Sequence, residues 1–218
     1  MQKLHIIWDL DGTLIDSAPE IKAVLAKSIK ETGFSEIKPL EPFHSGPPLD
    51  KTLGYMYGLQ LSAENIEQIL SAFRNNYDNC GFNHTPPFDG MEEILADTRF
   101  LHHIVTNKPD LATNRILKKL GWKKYFSSVV TPYSYMKSSD DKRKTKTELF
   151  ALCMKDYPNE KFVGVGDMDT DAKAALENDI PAIGVLWGTG SEKELKACGC
   201  TKIVHSVNEL KQLLADFC

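Results

Sequence analysis
No stretch of this 218-residue sequence stays apolar for anything near the ~20 residues that a membrane-spanning helix needs. Positive charge is not in excess either. Lys and Arg number 26 against 30 Asp and Glu, a formal net charge of -4, so no basic surface argues for nucleic acid. Cysteine is sparse. Cys80, Cys153, Cys198, Cys200 and Cys218 are odd in number and scattered, which is not a disulfide framework. Cys198-Gly199-Cys200 has no His or second Cys pair placed to complete a zinc site. No apolar leader is expected, with Met1-Gln2-Lys3 running straight into a strand. There is also no internal repeat and no low-complexity segment. The expectation is a soluble, cytosolic protein with neither a nucleic-acid nor a membrane partner. A composition 42% hydrophobic and 26% charged suits one globular domain with a sizeable core, or one domain carrying a small second one.

What is present begins with Leu4 to Trp8, an apolar run that reads as a short buried strand. It ends in two carboxylates, Asp9 and Asp11, with Gly12 directly after them. A parallel strand would place them at the carboxyl edge of a sheet, where open α/β folds bind ligands. Two acids so close repel each other unless something neutralises them. A divalent cation does so, and hard oxygen ligands suit Mg²⁺. One carboxylate can then attack an electrophile while its neighbour handles the proton. The plainer alternative is a pair of turn-forming residues and a helix cap.

A helical stretch follows. Ile21, Val24, Leu25 and Ile29 repeat at helical spacing, with Gly33 as a stop signal. Pro39, Pro42, Gly46, Pro47 and Pro48 mark an irregular loop. A second helix covers Leu53 and Met56. A third carries Ile66, Ile69, Leu70, Phe73 and Tyr77, with Ser62 as N-cap and Leu61 and Ile66 spaced as a staple. From Phe88 onward, strands alternate with helices. Asp89 and Glu92 have capping-box spacing. Strands are expected at Leu101 to Val105, Val129-Val130, Lys161 to Val165, Pro181 to Leu186 and Lys202 to Val204, and helices lie between and after them. That rhythm predicts an α/β fold, a doubly wound parallel sheet, interrupted after its first strand by an all-helical insertion. The expected division is 1–16 with 87–218 as the α/β domain and 17–86 as the helical one.

Three more strand ends carry polar residues. Thr106-Asn107-Lys108 offers a hydroxyl and a run of backbone N–H groups leading into a helix, which can cradle phosphate or make an ordinary turn. Gly164-Val165-Gly166-Asp167-Met168-Asp169-Thr170-Asp171 sets three acids after a buried strand, with Asp169 read as the N-cap of the next helix. Phosphoryl transfer also needs a cation. The segment Asp141 to Glu148 supplies Lys142, Arg143, Lys144 and Lys146, which also reads as a solvated charged loop.

Asp9-Leu10-Asp11-Gly12-Thr13-Leu14-Ile15-Asp16-Ser17 resembles the first signature of the haloacid-dehalogenase-like superfamily, in its phosphatase branch. The resemblance extends in order through Thr106, the lysine segment and Gly166-Asp167 to Asp171, over nearly the whole chain. It implies that Asp9 is a nucleophile that becomes an aspartyl phosphate. Asp11 would first protonate the leaving group and then activate water. Gly12, Thr106, Asn107 and the lysine would bind the phosphoryl group. Asp9, Asp167 and the Asp11 carbonyl would hold Mg²⁺, with Asp171 acting through a metal-bound water or by orienting the lysine. Aligning Glu148-Leu149-Phe150 with the family pattern selects Lys144, with Lys146 and Lys142 in reserve. Thr145 stands where many members have Pro.

The same resemblance makes the insertion a cap that selects substrates, with Phe43, His44, Ser45 and Lys51 as candidate contacts. It is closest in kind to phosphoglycolate-phosphatase-like members, partly through Gly46-Pro47-Pro48-Leu49. The expected activity is Mg²⁺-dependent hydrolysis of a small phosphorylated metabolite. The alternatives are a β-phosphoglucomutase-like phosphotransferase, or a non-catalytic protein that accepts or binds phosphate.

Overall fold
The computed structural model describes residues 3–43, 49–134 and 143–216. The chain divides into two compact units, Met1–Asp16 with Pro86–Cys218, and Ser17–Thr85. After β1 (Leu4–Trp8) come three helices, α1 (Ala18–Glu31), α2 (Leu49–Tyr57) and α3 (Ala63–Asn79). Then follow α4 (Met91–Leu95), β2 (Phe100–Val105), α5 (Asp110–Leu120), β3 (Phe126–Val130), α6 (Lys146–Lys155), β4 (Lys161–Gly166), α7 (Asp169–Glu177), β5 (Ala182–Val185), α8 (Glu192–Ala197), β6 (Lys202–Val204) and α9 (Val207–Ala215). No described helix is long and apolar enough to cross a membrane.

The six strands of the described residues form one parallel sheet in the order β3-β2-β1-β4-β5-β6. All five residues of β1 are buried, as a strand covered on both faces by helices requires. The chain runs outward from β1 through β2 to β3. It then returns to the other side of β1 and continues through β4, β5 and β6. The strand order therefore reverses between β1 and β4, and the crevice at such a switch point is where α/β folds bind ligands. Trp8 pairs with Ile104 of β2 and with Val165 of β4, so the ends of three strands lie side by side. Their next residues are Asp9, Thr106 and, one past Gly166, Asp167.

Helix starts differ from expectation in places. The N-cap of α4 is Gly90 at φ 85, not Asp89. The Met91 N–H reaches back to the Phe88 carbonyl, and that turn needs a left-handed residue, which glycine supplies without steric cost. Gly121, at φ 67, closes α5 as its spacing suggests. In the helical unit, Leu25, Ile29, Leu53, Met56, Tyr57, Leu61 and Ile69 form a core of their own. Ser62 caps α3 by accepting from the Asn65 N–H, while the Asn65 side chain accepts from the Ser62 N–H. Phe43, a candidate substrate contact, is half-buried and packs against this core.

Neighbouring histidines in β2 point to opposite faces of the sheet. His102 accepts from the Trp8 indole N–H at 3.0 Å. His103 lies 3.0 Å from the His5 ring nitrogen and 2.8 Å from the Ser128 hydroxyl. Burial holds both rings neutral, pulling His102 down to about 4 and His103, with help from His5 and His102, to about 3. Below the unfolded value of 6.5 the unfolded chain takes up a proton that folded His103 refuses, so stability is lost as pH falls. His103→Gln removes this loss. Between pH 8 and pH 5, the wild type should lose about 2 kcal/mol of unfolding free energy relative to that variant. Denaturant titrations at both pH values measure it, and the site carboxylates cancel in the difference. A pH-independent difference would mean that His103 is protonated in the folded state.

Candidate active site
Asp9 follows β1 directly, with its N–H bonded to the Val165 carbonyl at 2.9 Å, and is buried. The Lys146 ammonium donates to Asp9 Oδ1 at 2.5 Å and is also ion-paired with Asp171. Lys146 is buried and opens α6. Thr145 is the N-cap, its hydroxyl accepting from the Glu148 N–H while Glu148 accepts from the Thr145 N–H at 2.7 Å. Lys146 then shares a helical stripe with Leu149, Phe150 and Cys153, all buried. Lys144 precedes the cap, is half-buried and has no place on that stripe. The lysine beside Asp9 is therefore Lys146, which corrects the register that selects Lys144. Lys142 lies outside the described residues.

Asp171 sits in the first turn of α7, where its Oδ2 accepts from the Met168 N–H at 3.0 Å. The N-cap position is Met168, not Asp169. Asp169 is the first helical residue and pairs with Lys173 at 2.8 Å on the surface. Asp167 is fully buried. It accepts from the Thr13 hydroxyl and from Thr189. Gly12 has φ 80, and a Cβ there would overlap the Asp167 carboxylate, so the residue after Asp11 must be glycine.

Asp11 is more open, with its side chain 30% exposed, and Oδ1 accepts from the Lys108 ammonium at 2.8 Å. Lys108 is itself buried, and its N–H donates to the Thr106 hydroxyl at 3.1 Å. Asn107 is exposed, and its carbonyl accepts from Arg143 at 2.9 Å. Sequence alone gives Lys108 no role and places Arg143 only among the candidate cations. A lysine in a loop reads as solvated, and no spacing rule shows that its ammonium turns back to an acid about a hundred residues away. Lys51 is exposed on α2, and His44 and Ser45 lie outside the described residues.

Among the described residues, Asp9, Asp167 and Asp171 each offer one carboxylate oxygen within 4.8 Å of the others. Burial raises the pKa of Asp9 to about 7. Lys146 opposes that rise, while Asp171 and Asp11 add to it. Burial, with Asp9, also raises Asp167, and burial raises Asp171 against the pull of Lys146. Burial works against the charge on Lys146, but Asp171 and Asp9 outweigh it and hold its pKa above the ordinary lysine value. Three buried acids thus share one directly paired ammonium. That surplus of negative charge, on hard oxygen donors, fits Mg²⁺. The arrangement offers a nucleophilic carboxylate, a more open second carboxylate for proton transfer, and cations beside each.

A family model described as haloacid dehalogenase-like hydrolase matches residues 6–185. The chain is 29% identical over 218 residues to tyrosine-protein kinase PtkA of Mycobacterium tuberculosis, covering 96% of this chain and 72% of that protein. It is 28% identical over 193 residues to phosphoglycolate phosphatase of Aquifex aeolicus, covering 84% of each. The crystal structure of a predicted phosphatase from Clostridium acetobutylicum superposes with a TM-score of 0.78 at 29% identity, over 99% of this chain and 100% of that one.

Proposed function
The chain belongs to the haloacid dehalogenase-like hydrolase family and is a phosphatase within it, and we propose that it hydrolyses small phosphomonoesters through a phosphoryl group carried on Asp9. The observation that carries this reading is the buried contact of Lys146 with both Asp9 and Asp171, beside Asp167. In the first step the Asp9 carboxylate attacks phosphorus. The bond from phosphorus to the ester oxygen breaks, and Asp11 gives that oxygen its proton. Water then attacks the phosphoryl-aspartate, Asp11 takes the water's proton, and inorganic phosphate leaves with Asp9 restored.

Lys146 holds the Asp9 carboxylate in place and balances charge on the phosphoryl oxygens. The Thr106 hydroxyl and the Asn107 N–H cradle those oxygens, with Gly12 allowing close approach. Lys108 stands beside Asp11. The Asp9 and Asp167 carboxylates and the Asp11 carbonyl would hold Mg²⁺, which when bound offsets the surplus negative charge of the cluster. Asp171 positions Lys146. We assign the choice of phosphomonoester to the inserted helical unit.

Phosphate release from p-nitrophenyl phosphate and a panel of phosphomonoesters, with Mg²⁺ and with EDTA, tests the reading. Turnover in Mg²⁺ and its loss in EDTA are expected. Stoichiometric labelling without turnover would make the protein a phosphate acceptor. Movement of the group onto a second sugar hydroxyl would make it a mutase. Incorporation from ATP into protein tyrosine, the activity in the mycobacterial relative's name, would also overturn hydrolysis.

A further inference from the structure
Asp167 is restrained by groups that lie outside the acidic motif. Its Oδ2 accepts two hydrogen bonds from one residue, from the Thr189 N–H at 2.8 Å and the Thr189 hydroxyl at 3.0 Å. Its Oδ1 accepts from the Thr13 hydroxyl at 3.2 Å. Glycines close the remaining space. A Cβ on Gly12 or Gly188 would overlap the carboxylate, and one on Gly190 would overlap the Asp167 carbonyl oxygen. The Trp187 indole N–H donates to the Thr13 carbonyl at 3.0 Å and so ties the segment after β5 to the segment after β1. The Thr189 hydroxyl also lies 3.2 Å from Met168 Sδ, but a carboxylate is the stronger acceptor and takes its single proton.

A carboxylate oxygen has room for about two donors. Among the described residues, donors fill both places on Oδ2 and one of the two on Oδ1. We propose that the loop Trp187–Gly190 is part of the cation site, with Thr189 a positioning residue that saturates Oδ2 and leaves Oδ1 as the metal-binding oxygen of Asp167. This rests on the reading of Asp9 and Asp167 as Mg²⁺ ligands. Groups that orient a ligand in this way typically change metal affinity by about 10–100-fold when removed.

The test is a titration of the full chain with Mn²⁺ alone, followed by electron paramagnetic resonance of the free ion. Thr189→Val keeps the backbone donor and loses the hydroxyl, and should weaken Mn²⁺ binding about tenfold or more. Thr189→Ser restores the hydroxyl and should bind within about twofold of wild type. Thr189 is exposed, so neither change opens a core cavity; in EDTA Thr189→Ser should melt with wild type, while Thr189→Val, which leaves a buried carboxylate one donor short, should melt lower yet stay folded at the titration temperature. Thr189→Ala gives the same reading without a branched side chain if the valine variant does not fold. Wild-type affinity in the valine or alanine variant overturns the inference and leaves the cation site standing. Equal weakening by serine and valine also overturns it, because packing and not the hydroxyl would then be responsible. A wild-type protein that binds no Mn²⁺ overturns the cation site and this inference together.

Discussion

Asp9→Asn will abolish phosphate release while the protein stays folded. An amide cannot attack phosphorus as a carboxylate does, and the other acid paired with Lys146, Asp171, lies in the first turn of α7 and not at the tip of β1. Removing a nucleophile costs roughly four orders of magnitude or more in rate, about 5 kcal/mol of transition-state stabilisation. Stability should move the other way. Asp9 is held at about 7 against an ordinary 3.8, so above pH 3.8 the unfolded chain releases a proton that the folded one keeps. Folding therefore bears the cost of this carboxylate at neutral pH when no metal is bound. The nearly isosteric amide removes it, and Lys146 keeps Asp171 as its partner. In EDTA at pH 8, Asp9→Asn should melt at or above the wild-type temperature. Substantial turnover by the folded variant would remove Asp9 as the nucleophile.

Lys146→Met should lower the rate about a thousandfold, about 4 kcal/mol, with Mg²⁺ present. Lys144→Met should stay within about twofold of wild type. The first change takes from Asp9 and Asp171 the only ammonium directly paired with them among the described residues. The second changes a half-buried residue ahead of the helix cap. Breaking a buried pair also costs about 3–5 kcal/mol of stability, so circular dichroism must confirm that Lys146→Met is folded at the assay temperature. The reverse order of effects would restore the other register. Equal and small effects would mean that the charge on the phosphoryl oxygens is balanced elsewhere.

That lysine shows how far a linear reading reaches. The family pattern is anchored on Glu148-Leu149-Phe150, and several registers of a basic segment satisfy it. Helix periodicity decides between them. Thr145 and Glu148 have capping-box spacing, so the helix starts at Lys146, on the same stripe as Leu149, Phe150 and Cys153. That signal was present in the sequence and conflicts with Lys144. Asp169 and Asp171 follow the same logic. Both suit the first turn of a helix, and only the observed N-cap at Met168 turns Asp171 inward and leaves Asp169 to Lys173.

The amino-acid order alone determined the parallel α/β architecture, because short apolar runs alternating with helical stripes have few other ways to bury both faces of each strand. It also determined that Asp9, Thr106 and Asp167 stand at strand ends, since each directly follows an apolar run or its closing glycine, with Asp11 two residues past Asp9. Tertiary structure decided the pairings. Lys108 meets Asp11, Lys146 meets Asp9 and Asp171, and Thr189 meets Asp167, across separations that no local rule spans. The reason is physical: periodicity tells which face a side chain is on, but the direction of a loop side chain depends on what the rest of the fold places in front of it.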